Sequence, residues 1–264
     1  MVCSAPFQTF IKQHTLNHRQ DTSRQVILLT NPLNDYEWKR YSQSGEDGII
    51  EELFRRIGAT NRFFVEFGVE DGLECNTANL SFHKNWTGLL LEGDEENYKI
   101  LKRNYAGRPA VKTVHERITA ENIVAIFEKM NVPAEFDLLS IDIDGNDYWV
   151  WRALAAYKPR VAVIEYNAAH PPPARKVIPY DPGFVWDRTT YYGASLSSLT
   201  LLGKQLGYAL LGTNKKGVNA FFIRNDELAS SRFAELTPAQ GFHPPDYGPY
   251  NGGHPPGDGP YLEI

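Results

Sequence analysis

VEFGVEDGLECNT, residues Val65 to Thr77, joins the end of an apolar run to a glycine turn and then to a short polar stretch that can start a helix. A buried strand that ends in an acid and meets Gly68 and Gly72 in a sharp turn is how α/β folds bring backbone close to a ligand. On either side of it the chain alternates two periods. GIIEELFRRI (Gly48 to Ile57) puts Ile49, Ile50, Leu53, Phe54 and Ile57 on one helical face. RFFVEF (Arg62 to Phe67), TGLLLE (Thr87 to Glu92), FDLLSID (Phe136 to Asp142) and RVAVIEY (Arg160 to Tyr166) are apolar through their centres, as strands buried on both faces are. VKTVH (Val111 to His115) is a weaker strand. Helices fit between them over Glu95 to Asn104, Ala120 to Met130 and Tyr148 to Ala156. GYALLG and VNAFFIR, joined by TNKKG, read as a final antiparallel hairpin. The expected fold is α/β: a Rossmann-like seven-stranded, mostly parallel sheet with a C-terminal antiparallel hairpin and helices on both faces.

Two stretches break this rhythm. NAAHPPPARKVIPYDPGFVWDRTTYYG, Asn167 to Gly193, is too rich in proline for regular structure, and an insertion of that length is more often a functional loop than a neutral one. SLSSLTLLGKQLG then resumes as a helix capped by Ser195. Pro238 to Ile264 holds seven prolines and six glycines and no lysine or arginine, which predicts an irregular tail that wraps the domain or stays loose. The expected organisation is an extension over 1–40, one domain over 41–236 and the tail over 237–264.

Composition narrows the function. The chain has 264 residues, a formal charge of -5 and no run of like charge, which argues against nucleic acid as a partner. No apolar stretch reaches the ~18 to 20 residues of a membrane span. The start of the chain lacks a signal-peptide core, and there are only two cysteines, Cys3 and Cys75, so a reducing, cytoplasmic location is expected without a disulfide. A small-molecule partner fits best, and a homo-oligomer is compatible with all of this.

The candidate site residues gather at strand ends. Glu66, Gly68 and Gly72 give E-x-G-x-x-x-G, with Glu70 where a dinucleotide fingerprint would carry glycine. Glu92 ends the next strand some twenty residues on, where an acid can accept both hydroxyls of a ribose. The turn carries Glu66, Glu70, Asp71 and Glu74 and no base, so it would repel a pyrophosphate and suit a ligand with a sulfonium and an ammonium. Asp142, Asp144, Glu165 and Asn167 end neighbouring strands and could converge as oxygen ligands for Mg²⁺, unless Asp144 and Asp147 only cap the following helix. His170 opens the proline-rich loop and is a candidate general base. Phe184, Trp186, Tyr191 and Tyr192 either line a pocket or cover the sheet.

VEFGVEDG, LLLEGD, SIDIDGNDYWVW and VIEYN, in that order, resemble the successive motifs of class I S-adenosylmethionine-dependent methyltransferases, most closely the FkbM-like branch. YSQSGEDGIIEELF, Tyr41 to Phe54, is similar to the lead-in helix of those enzymes. The resemblance spans roughly Tyr41 to Arg224. It implies S-adenosylmethionine as cofactor, its methionine part cradled by Glu66, Gly68 and Gly72 and its ribose held by Glu92. It also implies that Gln43 reaches the methionine carboxylate and Glu70 the α-ammonium. The expected activity is O-methylation of a small organic or sugar-type acceptor, with Mg²⁺ assistance through Asp142, Asp144, Glu165 and Asn167, Asp144 also taking part in catalysis. Two alternatives stay open. Asp142-Ile143-Asp144 is also the D-x-D of metal-dependent glycosyltransferases, and the domain could bind S-adenosylmethionine without catalysis as an interaction module.

Overall fold

Phe64 and Val65 are neighbours in sequence and pack on opposite sides of one sheet, each wholly buried. That two-residue period is what a strand covered on both faces requires, and it sorts the whole core. The computed structural model describes residues 32–248 and 252–264. Cys3 and most of the stretch expected as an extension lie outside the described residues. In chain order the elements are α1 (Glu46–Ile57), β1 (Phe63–Phe67), α2 (Ala78–His83), β2 (Thr87–Glu92), α3 (Glu95–Asn104), β3 (Val111–His115), α4 (Ile123–Met130), β4 (Glu135–Ile141), α5 (Asp147–Ala153) and β5 (Lys158–Glu165). There follow β6 (Lys176–Val177), α6 (Leu196–Leu206), β7 (Tyr208–Thr213), β8 (Asn219–Arg224), α7 (Leu228–Ser231), α8 (Pro238–Gly241) and β9 (Leu262–Glu263).

Seven strands form one sheet in the order β3-β2-β1-β4-β5-β8-β7. The pairings from β3 to β5 are parallel, and β8 runs antiparallel to both β5 and β7. This is the expected Rossmann-like sheet with its terminal hairpin. One face buries Ile49, Ile50 and Leu53 of α1, Leu80 of α2 and Leu101 of α3. The other buries Phe127 of α4, Trp151 of α5 and Leu196, Leu199 and Leu202 of α6. Full burial of such side chains stabilises by about 1.5 to 3 kcal/mol each, which is what holds helices of six to twelve residues in place. Strand order reverses at β1, whose neighbours are β2 and β4, so a crevice opens beyond the carboxyl ends of β1 and β4.

The opposite end of the sheet is closed by a buried ion pair. Asp137 on β4 is fully buried and accepts the backbone N–H groups of Thr60, Asn61 and Arg62 at 2.7 to 3.1 Å. Arg160 on β5 donates to Asp137 at 2.9 Å and to Glu227 at 2.6 Å.

Among the described residues, the Pro/Gly-rich tail wraps the domain. β9 pairs antiparallel with β6 inside the long loop, forming a second, two-stranded sheet that the sequence did not suggest. The Thr190 N–H donates to the Pro255 carbonyl at 2.9 Å, and the Tyr261 hydroxyl donates to the Thr190 carbonyl at 2.8 Å. Loop and tail therefore form one covering beside β5. Leu33 is buried, and Asn34 donates to the Thr213 carbonyl at 2.8 Å, so the domain takes in residues ahead of Tyr41. Among the described residues no helix is long and apolar enough to cross a membrane.

Candidate active site

The glycine turn after β1 is fixed from below. Glu66 is buried, and its two oxygens accept the N–H groups of Asn76 (2.8 Å) and Thr77 (2.9 Å) and the Thr77 hydroxyl (2.6 Å). Its carboxylate shapes the turn and starts α2, so its part in any cradle is indirect. Burial pushes its pKa up, against the pull of those donors. Gly68 has φ +69°, and a Cβ there would lie 1.7 Å from the Asp142 carbonyl oxygen. Gly72, at φ +76°, faces Leu101 and Tyr105 and serves packing. Glu70 is exposed at φ +49°, a conformation that glycine adopts more readily, and its side chain faces solvent.

Glu92 lies at the carboxyl end of β2. One oxygen accepts the Glu70 N–H and the other the Asp94 N–H, both at 2.7 Å. An ionised carboxylate offers about four lone-pair sites, so each oxygen keeps room for one more donor, as a vicinal diol supplies. Burial and the charge of Asp94 push its pKa up, and donors from a ligand would bring it back down. Gln43 is exposed in the segment leading into α1, which Asp47 holds by accepting the N–H groups of Arg40, Tyr41 and Ser42 at 2.7 to 2.9 Å. Lys39 ties that segment to Glu74 of the glycine turn at 3.4 Å.

Across the crevice, oxygens of Asp142, Asp144 and Glu165 lie within 4.8 Å of one another. At that separation their negative charges oppose one another, and all three carboxylates are harder to ionise than free ones. Burial, then the neighbouring carboxylates, push Asp142 and Glu165 well above the usual range. Asp144 is pushed up to about 6 by desolvation and by Asp147, Glu70 and Glu92. Among the described residues, Oε2 of Glu165 is buried without a hydrogen-bond partner. Asp147 takes the helix-capping role, accepting the N–H groups of Ile143 and Gly145 at 2.9 Å. Asp144, at φ +55°, points its acid to the cluster instead.

Two expected site residues are placed elsewhere. Asn167 is fully buried; its amide donates to the Thr190 and Tyr192 carbonyls at 2.8 Å, and its oxygen accepts the Ala169 N–H at 3.0 Å. It anchors the long loop and is outside the acidic group. His170 packs edge-on against Tyr261 at 4.6 Å, and burial and Lys176 push its pKa down to about 4. The structure does not bring it to the acids, and so weak a base is poorly matched to proton abstraction near neutrality.

The aromatic residues divide their work. Phe184 packs over Gly145, where a Cβ would come within 2.5 Å of its ring, and Tyr191 packs on Phe184 and Tyr261. Trp186 and Tyr192 turn to His254, at ring separations of 4.5 and 6.0 Å. The Tyr192 hydroxyl meets that of Tyr247 at 3.1 Å. Tyr247 and His254 are the residues that reading by period missed, because they lie in an irregular segment. The only signal was the presence of aromatic residues and histidines among the prolines and glycines.

Fold and site together define an open α/β protein whose crevice, at the β1/β4 switch point, is lined by carboxylates. No family model matches the chain, and no curated protein matches it. Among solved structures it is similar to the N-terminal domain of EvdMO1 with SAH bound, at 15% identity and a TM-score of 0.44, covering 78% of this chain and 94% of that one. It is also similar to a putative O-methyltransferase from Klebsiella pneumoniae (16%, TM-score 0.44, 76% and 93% covered). A third is a putative caffeoyl-CoA O-methyltransferase from Staphylococcus aureus (17%, TM-score 0.47, 67% and 81% covered). At these values the likeness adds nothing to the strand order read directly from the sheet.

Proposed function

We propose that the chain is an S-adenosylmethionine-dependent methyltransferase of the FkbM-like kind, acting on the hydroxyl of a small acceptor. The observation that carries this reading is the chemistry of the crevice. Its walls are acids with raised pKa values, and Glu92 keeps lone pairs free at the position where a ribose diol would lie. A sulfonium and an ammonium relieve that crowding, whereas a diphosphate would add to it. Glu92 holds the ribose, Gly68 lets the ligand approach the backbone, and Glu70 and Gln43 take the amino-acid end. Glu66 and Gly72 keep the turn in shape.

The D-x-D glycosyltransferase alternative fits less well. A nucleotide sugar's diphosphate needs open amides or bases. The Asn76 and Thr77 N–H groups at the start of α2 are already accepted by Glu66, and the turn from 66 to 76 has neither lysine nor arginine.

Asp142, Asp144 and Glu165 would hold a divalent cation, with the orphaned Glu165 Oε2 as the ready donor and without Asn167. When bound, such an ion would keep the acids charged and make a nearby hydroxyl more acidic. The transfer itself is in-line displacement, in which positioning alone can supply roughly 7 to 11 kcal/mol.

Titration calorimetry tests the reading. The protein should bind S-adenosylhomocysteine, and Glu92→Ala should weaken that binding about tenfold or more, because hydrogen bonds to a charged acceptor are worth about 1.5 to 3 kcal/mol. Binding of UDP in place of S-adenosylhomocysteine would reverse the choice between the two alternatives.

A further inference from the structure

The tail encloses a cavity of about 410 Å³ beside β5, lined by Asn167, Thr190, Tyr192, Pro245, Tyr247 and His254. We propose that this cavity is the acceptor site, that it takes a neutral hydroxyl-bearing ring compound, and that His254 accepts the hydroxyl proton; this rests on the methyltransferase reading. Asn167 of its lining stands two residues past Glu165, the last residue of β5. The hydrogen-bonded hydroxyls of Tyr192 and Tyr247 form part of its wall. It lies immediately past the carboxyl end of β5, where Asn167 pins the loop to the sheet.

Its lining decides the class of ligand. No lysine or arginine faces it, so a phosphate ester or carboxylate would enter without a counter-charge. Tyrosine and histidine offer apolar ring faces together with polar tips, which suits a ring carrying hydroxyls. A second cavity of about 280 Å³ differs in carrying Arg175 and Lys204 in its lining; the acids themselves line neither cavity.

His254 is the basic side chain of this lining. Its ring sits among Trp186, Tyr192 and Tyr247, the last at 5.1 Å, and among the described residues neither ring nitrogen has a hydrogen-bond partner. The titratable groups packed against it are these two tyrosines, whose own pKa values burial pushes up, so they stay neutral. Desolvation keeps the imidazole uncharged before reaction. In the step, the acceptor oxygen attacks the methyl carbon and an O–C bond forms. The S–C bond breaks, its electron pair stays on sulfur, and the sulfonium becomes a neutral thioether. The O–H proton passes to a His254 ring nitrogen, and the imidazolium then releases it to water.

The test uses catechol and methyl β-glucoside as neutral probes and phenyl phosphate as the anionic one. Binding is read by saturation-transfer NMR on the S-adenosylhomocysteine-loaded protein, and transfer by labelled methyl from S-adenosylmethionine. A neutral probe should bind and be methylated by the wild type. His254→Gln and His254→Asn should keep the wild-type thermal midpoint and S-adenosylhomocysteine affinity while losing about 100-fold in transfer rate, the lower end of what a general base contributes. Equal rates in these variants would overturn the proposal. So would preference for phenyl phosphate, or S-adenosylhomocysteine binding without any neutral probe binding or being methylated. Failure of the wild type to bind S-adenosylhomocysteine at all would instead overturn the methyltransferase reading, and this one with it.

Discussion

Gly68 shows how closely the two central strands meet at the crevice. Its φ of +69° suits glycine, and any side chain would collide with the Asp142 carbonyl 1.7 Å from the Cβ position. Gly68→Ala should therefore cost at least the ~1 to 3 kcal/mol of a strained backbone residue. In a domain of this size that is a thermal midpoint lower by several degrees, at roughly 2 to 4 °C per kcal/mol. Scanning calorimetry checks it, and an unchanged midpoint would contradict the close approach. At Glu52 the sign of the pH effect is definite. Its carboxylate is held at about 2 by the Arg55 hydrogen bond and by Arg56, against an ordinary value of 4.5. Between those values the unfolded chain binds more protons, so this contribution is complete above about pH 4.5 and disappears as pH falls through 2. Glu52→Gln should lower stability at neutral pH and flatten the loss over that window in urea titrations at stepped pH. Residue-scale legibility was uneven for a physical reason. The acids and glycines could be placed at strand ends by counting, whereas the direction of a side chain depends on partners far away in sequence. Asn167 was expected to face a metal and instead holds Thr190 and Tyr192, over twenty residues on.

Elements were legible wherever burial imposes a period. Thr87 to Glu92, Glu95 to Asn104 and Val111 to His115 stand where the sequence put them. The helix expected from Ala120 starts at Ile123, because Thr119 and Asn122 bond each other's N–H groups at 2.8 and 3.2 Å and hold a turn first. The two-residue strands β6 and β9 left no trace in the sequence, since a period cannot be read from two residues. The Asp137–Arg160 pair was also invisible, although it ties β4 and β5 to the segment between α1 and β1. Asp137→Ala leaves Arg160 partly unpaired and three N–H groups without their acceptor, and should destabilise by about 3 to 5 kcal/mol. Denaturant unfolding measures this; a loss below about 1 kcal/mol, the range of a surface pair, would show that the pair carries little.

At the scale of the molecule, alternation of strands and helices was enough to give the sheet, because parallel strands need crossovers and the crossovers must cover both faces. The position of the tail was not legible, since proline and glycine remove the regular hydrogen bonds by which a segment could be placed. What it contributes, Tyr247 and His254 beside the loop, depends on contacts such as Thr190 to Pro255 that only the folded chain brings together. The methyltransferase reading depends on the occupant of the crevice at the β1/β4 switch point. The most direct measurement is a crystal structure of the protein grown with S-adenosylhomocysteine. The ribose hydroxyls should lie on the Glu92 carboxylate, with backbone contact at Gly68 and the thioether sulfur directed to Asp142, Asp144 and Glu165. A crystal grown at saturating S-adenosylhomocysteine with that crevice empty, or with the nucleoside bound away from Glu92, would contradict that reading.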